Sequence, residues 1–363
     1  MGPPLREEIL LRRRMGGSLT WGPGLDLSLA PAFDEGPALY VDNAGHLHLA
    51  WTRRDPVSDT TDVMYRRWDG HVWLPEERLD RSESYHPAPY GLFFVPDAVD
   101  RLCLFVNEGS GVTHTCLQED GWENLAPWVY VWRMRALVDI VLGPDGLFHV
   151  ATLGKNEYDQ EGPCDVWLDD AYYTTTDGRT WAPLQNLSHF GSIAYDIDLA
   201  FDPVGRLHFL WSDIHSYCSL DSRRSAIYER VRTGGTWGER REVTPYNDGQ
   251  AMVDLALTVD ATGGFHLAWS EGVFDENGRS LKLLPRYCSW TDGACSEEQI
   301  VWGSSERCRN IGVTVSAGMV PAVVWQEGHA LVEEVVFSER RELFRLFFPW
   351  IGYGDVDSFA KAG

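Results

Sequence analysis

Charged and polar side chains recur near the start of strand-like segments in the middle and C-terminal parts of this sequence. The segments are VWRMRALVDI, SIAYDIDLA, GQAMVDLAL and RCRNIGVTV. Because side chains two residues apart lie on the same face of a strand, the charged residues of each segment share a face. Carboxylates and arginines in one pocket can exchange protons with a bound molecule and stabilise charge that develops on it. We therefore predict catalytic roles for Arg135, Asp139, Asp196 and Asp254 and substrate-binding roles for Trp132, Arg133, Asp198 and Asn310.

A repeated segment indicates which elements hold these residues. GHLHLAW at 45–51 is matched by GRLHFLW at 205–211 and GGFHLAW at 263–269, and weaker copies bring the number to six. The six copies end at Trp51, Val106, Thr152, Trp211, Trp269 and Trp325. Each copy completes one hairpin and precedes a second hairpin with a glycine turn, as in YRRWDGHVW and YTTTDGRTW. Four strands per repeat predict an all-β fold, a β-propeller of radial four-stranded sheets.

The two ends of the chain bear on the number of blades. No second hairpin is evident after Trp325, whereas ILLRRRMGGSLTW at 9–21 matches VMYRRWDGHVW. Since a propeller must close its ring, we predict six blades, with hairpin 9–21 completing the last blade and residues 338–363 forming a C-terminal extension. Strand-like sequence at 329–350 leaves seven blades open as an alternative. No linker divides the chain, so residues 1–363 are predicted to form a single domain.

A second set of residues lies two positions after the end of each repeat. It comprises Arg53, Glu108, Gly154, Asp213, Glu271 and Glu327. In an up-and-down blade this point shares a rim with the start of the innermost strand, so we predict that both sets line one axial mouth. We assign all of the second set except Gly154 to substrate binding. The loops that follow are long only in blades three, four and five, and long loops on a rigid scaffold usually bind or gate a ligand.

The histidine inside the repeat has a structural interpretation. It recurs as His48, His149, His208 and His266. A position that recurs around a ring serves the ring, because a reactive centre needs one constellation rather than a copy in each blade. We predict a buried imidazole that is hydrogen-bonded between neighbouring strands.

The turn YTTTDGRTW at 173–181 resembles the Asp-box of sialidases and related bacterial neuraminidase repeat proteins. The family pattern is Ser/Thr, any, Asp, any, Gly, any, Thr, Trp, and here Thr176 stands at the aspartate position, followed by Asp177. The resemblance implies a sialidase-like six-bladed propeller and, with it, glycoside hydrolysis. The family begins its first blade with Arg-Ile-Pro. The corresponding strand here, EGPALYVD, contains no arginine, so no catalytic residue is carried over.

Composition excludes several classes of partner. The formal net charge of −23 repels nucleic acid and anionic membrane surfaces, and no apolar run reaches the roughly 18 residues of a membrane span. The N-terminal segment lacks the order of a signal peptide, which predicts a cytoplasmic location. Seven cysteines without CxxC spacing indicate reduced thiols and no zinc site, although Cys288 and Cys295 could pair across one hairpin. We expect no cofactor and no metal ion.

Three functions fit these observations. The first is a cofactor-free enzyme that encloses a small molecule in the axial pocket and acts by acid–base and electrostatic catalysis, through cyclisation, elimination or glycosidic hydrolysis. The second is a sialidase-like glycoside hydrolase with a glycan substrate. The third is a non-catalytic glycan-binding or scaffold propeller, whose axial charges form only an inter-blade ion network such as Arg135 with Asp196. A lectin would repeat its binding residues in several blades, and these axial charges do not repeat, which favours an enzyme. The sequence carries no signal for an oligomeric state.

Overall fold

Alternating buried and exposed side chains shape the described part of the chain into β-strands. The computed structural model describes residues 10–11, 25–28, 33–55, 60–79, 91–107, 111–123, 129–130, 134–155, 169–188, 193–215, 224–244, 247–248, 250–260, 262–274, 280–290, 295, 299–300, 308–315, 321–329, 332–339 and 342–349. No helix occurs in these residues, so none could cross a membrane there. The all-β prediction is confirmed for this part of the chain.

The strands are short and follow one another closely. In chain order they are β1 (Leu10–Leu11), β2 (Leu25–Asp26), β3 (Phe33–Val41), β4 (Leu47–Arg54), β5 (Thr61–Trp68), β6 (Glu77–Arg78), β7 (Gly91–Pro96), β8 (Leu102–Asn107), β9 (Gly111–Gln118), β10 (Gly121–Trp122), β11 (Val129–Tyr130), β12 (Met134–Leu142), β13 (Phe148–Lys155), β14 (Asp169–Thr176), β15 (Gln185–Asn186), β16 (Ile193–Phe201), β17 (Leu207–His215), β18 (Arg224–Thr233), β19 (Thr236–Trp237), β20 (Arg241–Glu242), β21 (Asn247–Asp248), β22 (Gln250–Val259), β23 (Phe265–Phe274), β24 (Ser280–Trp290), β25 (Gln299–Ile300), β26 (Cys308–Val315), β27 (Pro321–His329), β28 (Val332–Glu339) and β29 (Glu342–Pro349).

Among the described residues there are six sheets of four or more strands, and in each of them the four main strands pair in their sequence order. Sheets 1 to 6 consist of β3–β6, β7–β10, β12–β15, β16–β19, β22–β25 and β26–β29. Strand β11 adds to sheet 2, β20 and β21 add to sheet 4, and β1 pairs separately with β2. The hairpin order along the chain is the one that the repeats predict.

The chain forms two compact units. Unit 1 comprises residues 1–149 and 175–182, and unit 2 comprises residues 150–174 and 183–363, so the strands of sheet 3 are divided between them. Within unit 1 the first strands of sheets 1, 2 and 3 are neighbours, and within unit 2 so are the first strands of sheets 4, 5 and 6. In each unit successive sheets therefore pack along their first strands, which is the local arrangement of propeller blades.

Apolar side chains between successive sheets form the core. Trp269 of sheet 5 belongs to a buried cluster with Leu210 of sheet 4, whereas its neighbour Ala268 packs with Ile311 of sheet 6. Adjacent residues of one strand thus face two different sheets, because side chains alternate along a strand. The repeat tryptophans are fully buried at positions 51, 211 and 269.

The last sheet differs from the sequence prediction. Its third and fourth strands are β28 and β29, paired from Val332 opposite Pro349 to Glu339 opposite Glu342. The N-terminal hairpin 9–21 therefore does not supply them, and the described part of that hairpin, Leu10–Leu11, pairs with β2. The prediction was wrong because strand-like sequence at 329–350, within and before the supposed C-terminal extension, itself forms the missing hairpin. Residues 350–363 lie outside the described residues.

The recurring histidine is buried and hydrogen-bonded, as its repetition predicts. In sheet 1, His48 Nδ1 lies 2.8 Å from the hydroxyl of Tyr65 on the next strand, and His266 makes the same contact in sheet 5. In sheet 4 the partner is a buried carboxylate, since His208 Nδ1 lies 2.6 Å from Glu229 Oε1. In each of these sheets, the hydrogen bond of the histidine ring joins the second strand to the third.

An aspartate in the turn before the histidine holds the other side of the ring. Asp42 accepts hydrogen bonds from the backbone and ring of His46 and lies 3.3 Å from His48 Nε2. Burial alone would raise the pKa of Asp42, but these hydrogen bonds outweigh it and lower the pKa to about 2. Asp202 and Asp260 occupy the same place in sheets 4 and 5. Their constant spacing of six residues before the histidine was the available signal for this partner.

We expect His208→Ala to lower the free energy of unfolding by about 1–3 kcal/mol. The substitution removes the ring's contacts with Glu229 and Asp202 and leaves the buried Glu229 with its Arg241 ion pair. Denaturant unfolding measures the loss. Any activity of the folded variant should equal that of the parent, and a fully folded but inactive variant would contradict the structural role.

Stability should fall as the pH drops below the ordinary histidine pKa. Burial lowers the pKa of His48 and outweighs Asp42, which raises it, and burial lowers the pKa of His114 as well. The unfolded chain therefore binds protons that the folded chain excludes, so acid favours unfolding from the ordinary histidine pKa downwards. Urea midpoints across this pH range measure the effect. His48→Gln should flatten the profile.

Two disulfides correct the expectation of reduced thiols. Cys103 and Cys116 lie directly opposite each other on β8 and β9 and are bonded, and Cys288 is bonded to Cys295. The second pair was one of the alternatives that the sequence leaves open. The first pair depends on the register of two strands, which cysteine spacing alone does not reveal.

The turn that resembles an Asp-box is held by its own side chains. Thr176 Oγ1 accepts a hydrogen bond from Gly178 N–H at 3.0 Å and donates one to the carbonyl of Thr180 at 2.8 Å. Asp177 accepts from Thr180 N–H at 2.7 Å. The aspartate that stands one place later than in the family pattern thus still caps the turn, as Asp69 does in sheet 1.

Candidate functional site

The first strands of four sheets are irregular at the same place. Their pairing with the second strand shifts register between Glu35 and Ala38, Ala194 and Ile197, Val253 and Leu255, and Arg309 and Gly312. Bulges re-aim side chains and are over-represented beside active sites. Three residues that the sequence selects, Asp196, Asp254 and Asn310, lie in these bulges, at equivalent positions of sheets 4, 5 and 6.

Asp254 has a backbone conformation that glycine usually provides. Its φ is +49°, and the bulge of sheet 1 has Gly36 at +59°. Among the described residues, Asp100 is the one other non-glycine residue with positive φ. Such a conformation costs on the order of 1–3 kcal/mol and is typical of functional positions. Asp254 is also partly exposed, which leaves it accessible to a ligand.

Asp196 and Asp198 fasten sheet 4 to sheet 5. Asp196 Oδ2 accepts a hydrogen bond of 2.5 Å from Leu255 N–H, and Asp198 Oδ2 accepts one of 2.7 Å from Leu257 N–H. These bonds satisfy carboxylates that the neighbouring sheet partly covers. The role of Asp198 is structural. The bond of Asp196, by contrast, holds its carboxylate beside the bulge of sheet 5, because Leu255 directly follows Asp254.

The second set of predicted residues lies just outside the bulges. Asp213 pairs with Ala194 and Glu271 with Met252, at the end of the sheet where the first strand begins. Both carboxylates are fully buried, and Glu271 forms an ion pair with Arg286. Neither carboxylate is exposed to a ligand in this structure. Both side chains lie inside the protein instead of lining a pocket, as we had predicted that they would.

The partly buried Arg53 binds two acids, the buried Asp34 and the partly exposed Glu76. Its Nε donates to Asp34 Oδ1 at 2.7 Å, and its terminal nitrogens bind Glu76 and the carbonyl of Ser28. Trp51 Nε1 also donates to Asp34, at 2.9 Å. Burial raises the pKa of Asp34, and the hydrogen bonds and charge of Arg53 offset this rise only in part. The bonds of Arg53 are thus directed inward, which is a structural role.

Sheet 4 carries the same pair of positions with the charges exchanged. Asp213 stands where sheet 1 has Arg53, two residues after the repeat tryptophan, and Arg240 stands where sheet 1 has Glu76. In sheet 1 these two positions are joined by the ion pair of Arg53 with Glu76. The end of the second strand there forms an internal ion pair rather than a ligand contact.

Several selected residues lie where the structure describes little. Glu108, Trp132 and Arg133 are outside the described residues, as are the loop residues 156–168, 216–223 and 275–279. Arg135, Asn310 and Glu327 are described only as backbone positions in β12, β26 and β27. Asp139 is partly buried and accepts a hydrogen bond of 2.7 Å from Ile140 N–H. The pairing of Arg135 with Asp196 stays a prediction.

Tyr195 joins the site although its sequence context did not select it. It shares the bulge with Asp196 and is 50% exposed. A phenol can transfer a proton, and its ring can pack against an apolar surface. The repeat itself was the available signal, because Tyr195 stands beside the position that Asp196, Asp254 and Asn310 share.

A cavity of about 940 Å³ opens in unit 1 at the opposite end of sheets 1 and 2, between the turns of their first hairpins. Two pairs of its polar side chains bind each other. Asp42 holds His48, and Asn43 donates to Asp100 at 3.0 Å. We assign a structural role to the residues that line this cavity, because the bond of Asn43 to Asp100 joins sheet 1 to sheet 2.

The bulged ends of β16 and β22 therefore carry the described side chains that are best suited to act as an acid and a base. Asp254, Asp196 and Tyr195 all lie within two residues of the hydrogen bond that joins Asp196 to Leu255. Two carboxylates and a phenol can act as general acid and base. Among the described residues, no group of three or more His, Cys, Asp or Glu is placed to hold a metal ion.

Comparison with known proteins provides evidence on the fold of this chain. No protein-family model and no curated protein sequence matches this chain. It is similar in structure to a PL25 ulvan lyase bound to -[GlcA(1-4)Rha3S]-, with a TM-score of 0.61 and 11% identity over 85% of this chain and 83% of that one. It is also similar to the polysaccharide lyase Uly1, with a TM-score of 0.53 and 10% identity over 95% and 86% of the two chains. The α-L-arabinofuranosidase Arb93A of Fusarium graminearum gives a TM-score of 0.52 and 7% identity over 81% and 88%.

Likeness at these identities bears on the fold alone. The similar structures are β-propeller enzymes, which agrees with the hairpin repeats in the sequence and with successive sheets packed along their first strands. Sialidases specifically are not singled out by these similarities. The chain has an all-β fold of the β-propeller class.

Proposed function

We propose that this chain is a carbohydrate-active enzyme that cleaves a polysaccharide by acid–base catalysis at the bulged ends of β16 and β22. The observation that carries the proposal is the strained, partly exposed Asp254 beside the fixed carboxylate of Asp196. Strain of this kind is retained where it serves a function. Support also comes from similar structures, which include two polysaccharide lyases and an arabinofuranosidase.

Two reactions fit these groups. In an elimination, a base removes the proton on the carbon beside a uronate carboxylate, the glycosidic C–O bond breaks, a C=C bond forms and the leaving oxygen takes a proton. In a hydrolysis, water adds across the other C–O bond of the linkage, between the anomeric carbon and the glycosidic oxygen, so that both products carry a new hydroxyl group. We assign the base to Asp254 and the acid to Tyr195, while Asp196 positions the bulge. The glucuronate in the ligand of the similar ulvan lyase favours elimination.

Sialidase-like hydrolysis is the second candidate, favoured by the capped turn at Thr176 and Asp177 and by the succession of six sheets. A closed six-bladed ring is part of this proposal. A non-catalytic glycan-binding propeller is the third candidate, and cyclisation of a small molecule would use the same acid and base.

Product analysis distinguishes the candidates. The full chain is incubated with a sulfated glucuronate polysaccharide, arabinan and a sialyl-oligosaccharide. Unsaturated uronate, detected by its ultraviolet absorbance, indicates elimination, whereas new reducing ends without it indicate hydrolysis. Product from any of the polysaccharides supports the enzyme proposal. Binding without product from any of them would replace it with a non-catalytic propeller.

A cytosolic location stays a proposal of its own. The bonds Cys103–Cys116 and Cys288–Cys295 are more typical of proteins in oxidising compartments. Thiol labelling in freshly lysed cells tests the point, because a cytosolic chain should label at all four cysteines.

A further inference from the structure

The bulge that carries Asp254 places this residue outside the regular pairing of sheet 5. Asp254 is the extra residue that the register shift of β22 leaves between Val253 and Leu255. Its φ of +49° is a conformation that an aspartate adopts only at a cost. The groups that hold the backbone on either side of Asp254 therefore decide whether the residue keeps this conformation.

Sheet 4 holds the backbone on both sides of Asp254. On one side, Ser225 Oγ of β18 accepts a hydrogen bond of 2.9 Å from Met252 N–H. On the other side, Asp196 Oδ2 of β16 accepts the bond of 2.5 Å from Leu255 N–H. Because a rotation about φ displaces all the atoms that follow it in the chain, these two bonds together oppose a change of conformation at Asp254.

The bond to Ser225 lies out of reach of solvent. Both Ser225 and Met252 are fully buried. The side chain of Met252 is held as well, because Thr244 Oγ1 donates to its Sδ at 3.4 Å and accepts a hydrogen bond of 3.0 Å from Ile227 N–H. A buried N–H group that loses its acceptor is costly, so loss of the Ser225 hydroxyl favours a backbone that moves away from this arrangement.

We propose that Ser225 is a positioning residue, which holds Asp254 in the conformation that its role as a base requires. This inference rests on the proposed function for the role of Asp254, whereas the hold on the backbone rests on the hydrogen bonds alone. Ser225 itself touches no ligand, because its side chain is buried. The conformation of the base is thus set by sheet 4, although the base belongs to sheet 5.

A double-mutant cycle tests the hold without a substrate. The free energy of unfolding is measured in urea for the full-length parent, Ser225→Ala, Asp254→Gly and the double variant. Glycine adopts positive φ without strain, so in the Asp254→Gly background the loss of the hydroxyl removes the hydrogen bond with no relief of strain. With aspartate present, the released backbone relaxes and recovers part of the loss. We therefore expect Ser225→Ala to destabilise the parent less than it destabilises Asp254→Gly.

Steady-state kinetics on the substrate from the product screen test the consequence. Ser225→Ala should lower kcat by about 10–100-fold at a KM close to that of the parent, because a displaced base slows the chemical step and leaves the substrate contacts in place. Ser225→Thr keeps the hydroxyl and should restore most of kcat.

Ser188→Ala is the matched control for Ser225→Ala. Ser188 is buried as well, and its Oγ accepts a hydrogen bond of 3.0 Å from Ala171 N–H in sheet 3. The same atom is therefore lost away from the bulge, and kcat should equal that of the parent. Thermal midpoints confirm that each variant is folded.

The outcomes separate this inference from the proposed function. Full activity of Asp254→Asn would remove the base, while the cycle would still decide whether Ser225 holds the bulge. Equal destabilisation by Ser225→Ala in the two backgrounds would overturn the hold. A parent-like kcat of folded Ser225→Ala, beside an inactive Asp254→Asn, would overturn the positioning role, and so would an equal fall of kcat in Ser188→Ala.

Discussion

Asp254→Asn should reduce polysaccharide cleavage by a factor of about 10²–10⁴, because it removes the general base. Its thermal midpoint should stay close to that of the parent, since asparagine tolerates positive φ nearly as well as aspartate. Initial rates on the substrate found in the product screen, together with thermal unfolding, measure the two effects.

Asp100→Asn is the matched control for Asp254→Asn. Asp100 has φ +64° and lies in the turn that follows β7, in unit 1. This substitution should leave the rate unchanged. A further variant, Asp254→Gly, should be inactive and as stable as the parent or more stable by up to about 1 kcal/mol, because glycine accepts this backbone conformation without strain. Full activity of Asp254→Asn would remove Asp254 from the mechanism.

Arg53→Met should lower the free energy of unfolding by about 3–5 kcal/mol, the largest stability effect that we expect of one substitution in this chain. It strands the carboxylate of Asp34, which is 1% exposed, with Trp51 as a remaining donor. Denaturant unfolding at neutral pH measures the loss. Activity at the bulges of sheets 4 and 5 should persist in the protein that remains folded.

The pH dependence of this loss separates a stranded charge from lost packing. Burial already raises the pKa of Asp34, and removal of Arg53, which lowers it, raises it further. The folded variant then binds a proton more readily than the unfolded chain, so its deficit relative to the parent should shrink as the pH falls towards that pKa. In Asp34→Leu/Arg53→Met, which has no buried carboxylate at this point, the deficit should be smaller at neutral pH. A pH-independent deficit would show that lost packing is the cause.

The local sequence pattern was sufficient to predict the fold class and the repeated hairpins that build it. Period-two alternation and glycine turns depend on neighbouring residues, so the hairpin repeats and the buried, hydrogen-bonded histidines were predicted from the sequence. The wrong prediction for residues 329–350 also arose from reliance on local pattern. The segment 329–350 lacks a glycine turn of the kind that marks the other second hairpins, yet its alternation alone builds β28 and β29.

What the charged residues do was decided by tertiary structure. Asp196 and Asp198 were selected correctly as neighbours on one strand, but their partners are backbone N–H groups of β22, some 59 residues away in sequence. The same holds for the inward bonds of Arg53, the burial of Asp213 and Glu271, and the bond between Cys103 and Cys116. The positive φ of Asp254 arises because a bulge inserts a residue into the pairing of β22 with β23. Composition and spacing determine which residues can carry charge at the strand starts, whereas register and the packing of one sheet on the next determine which of those charges are satisfied and which remain exposed.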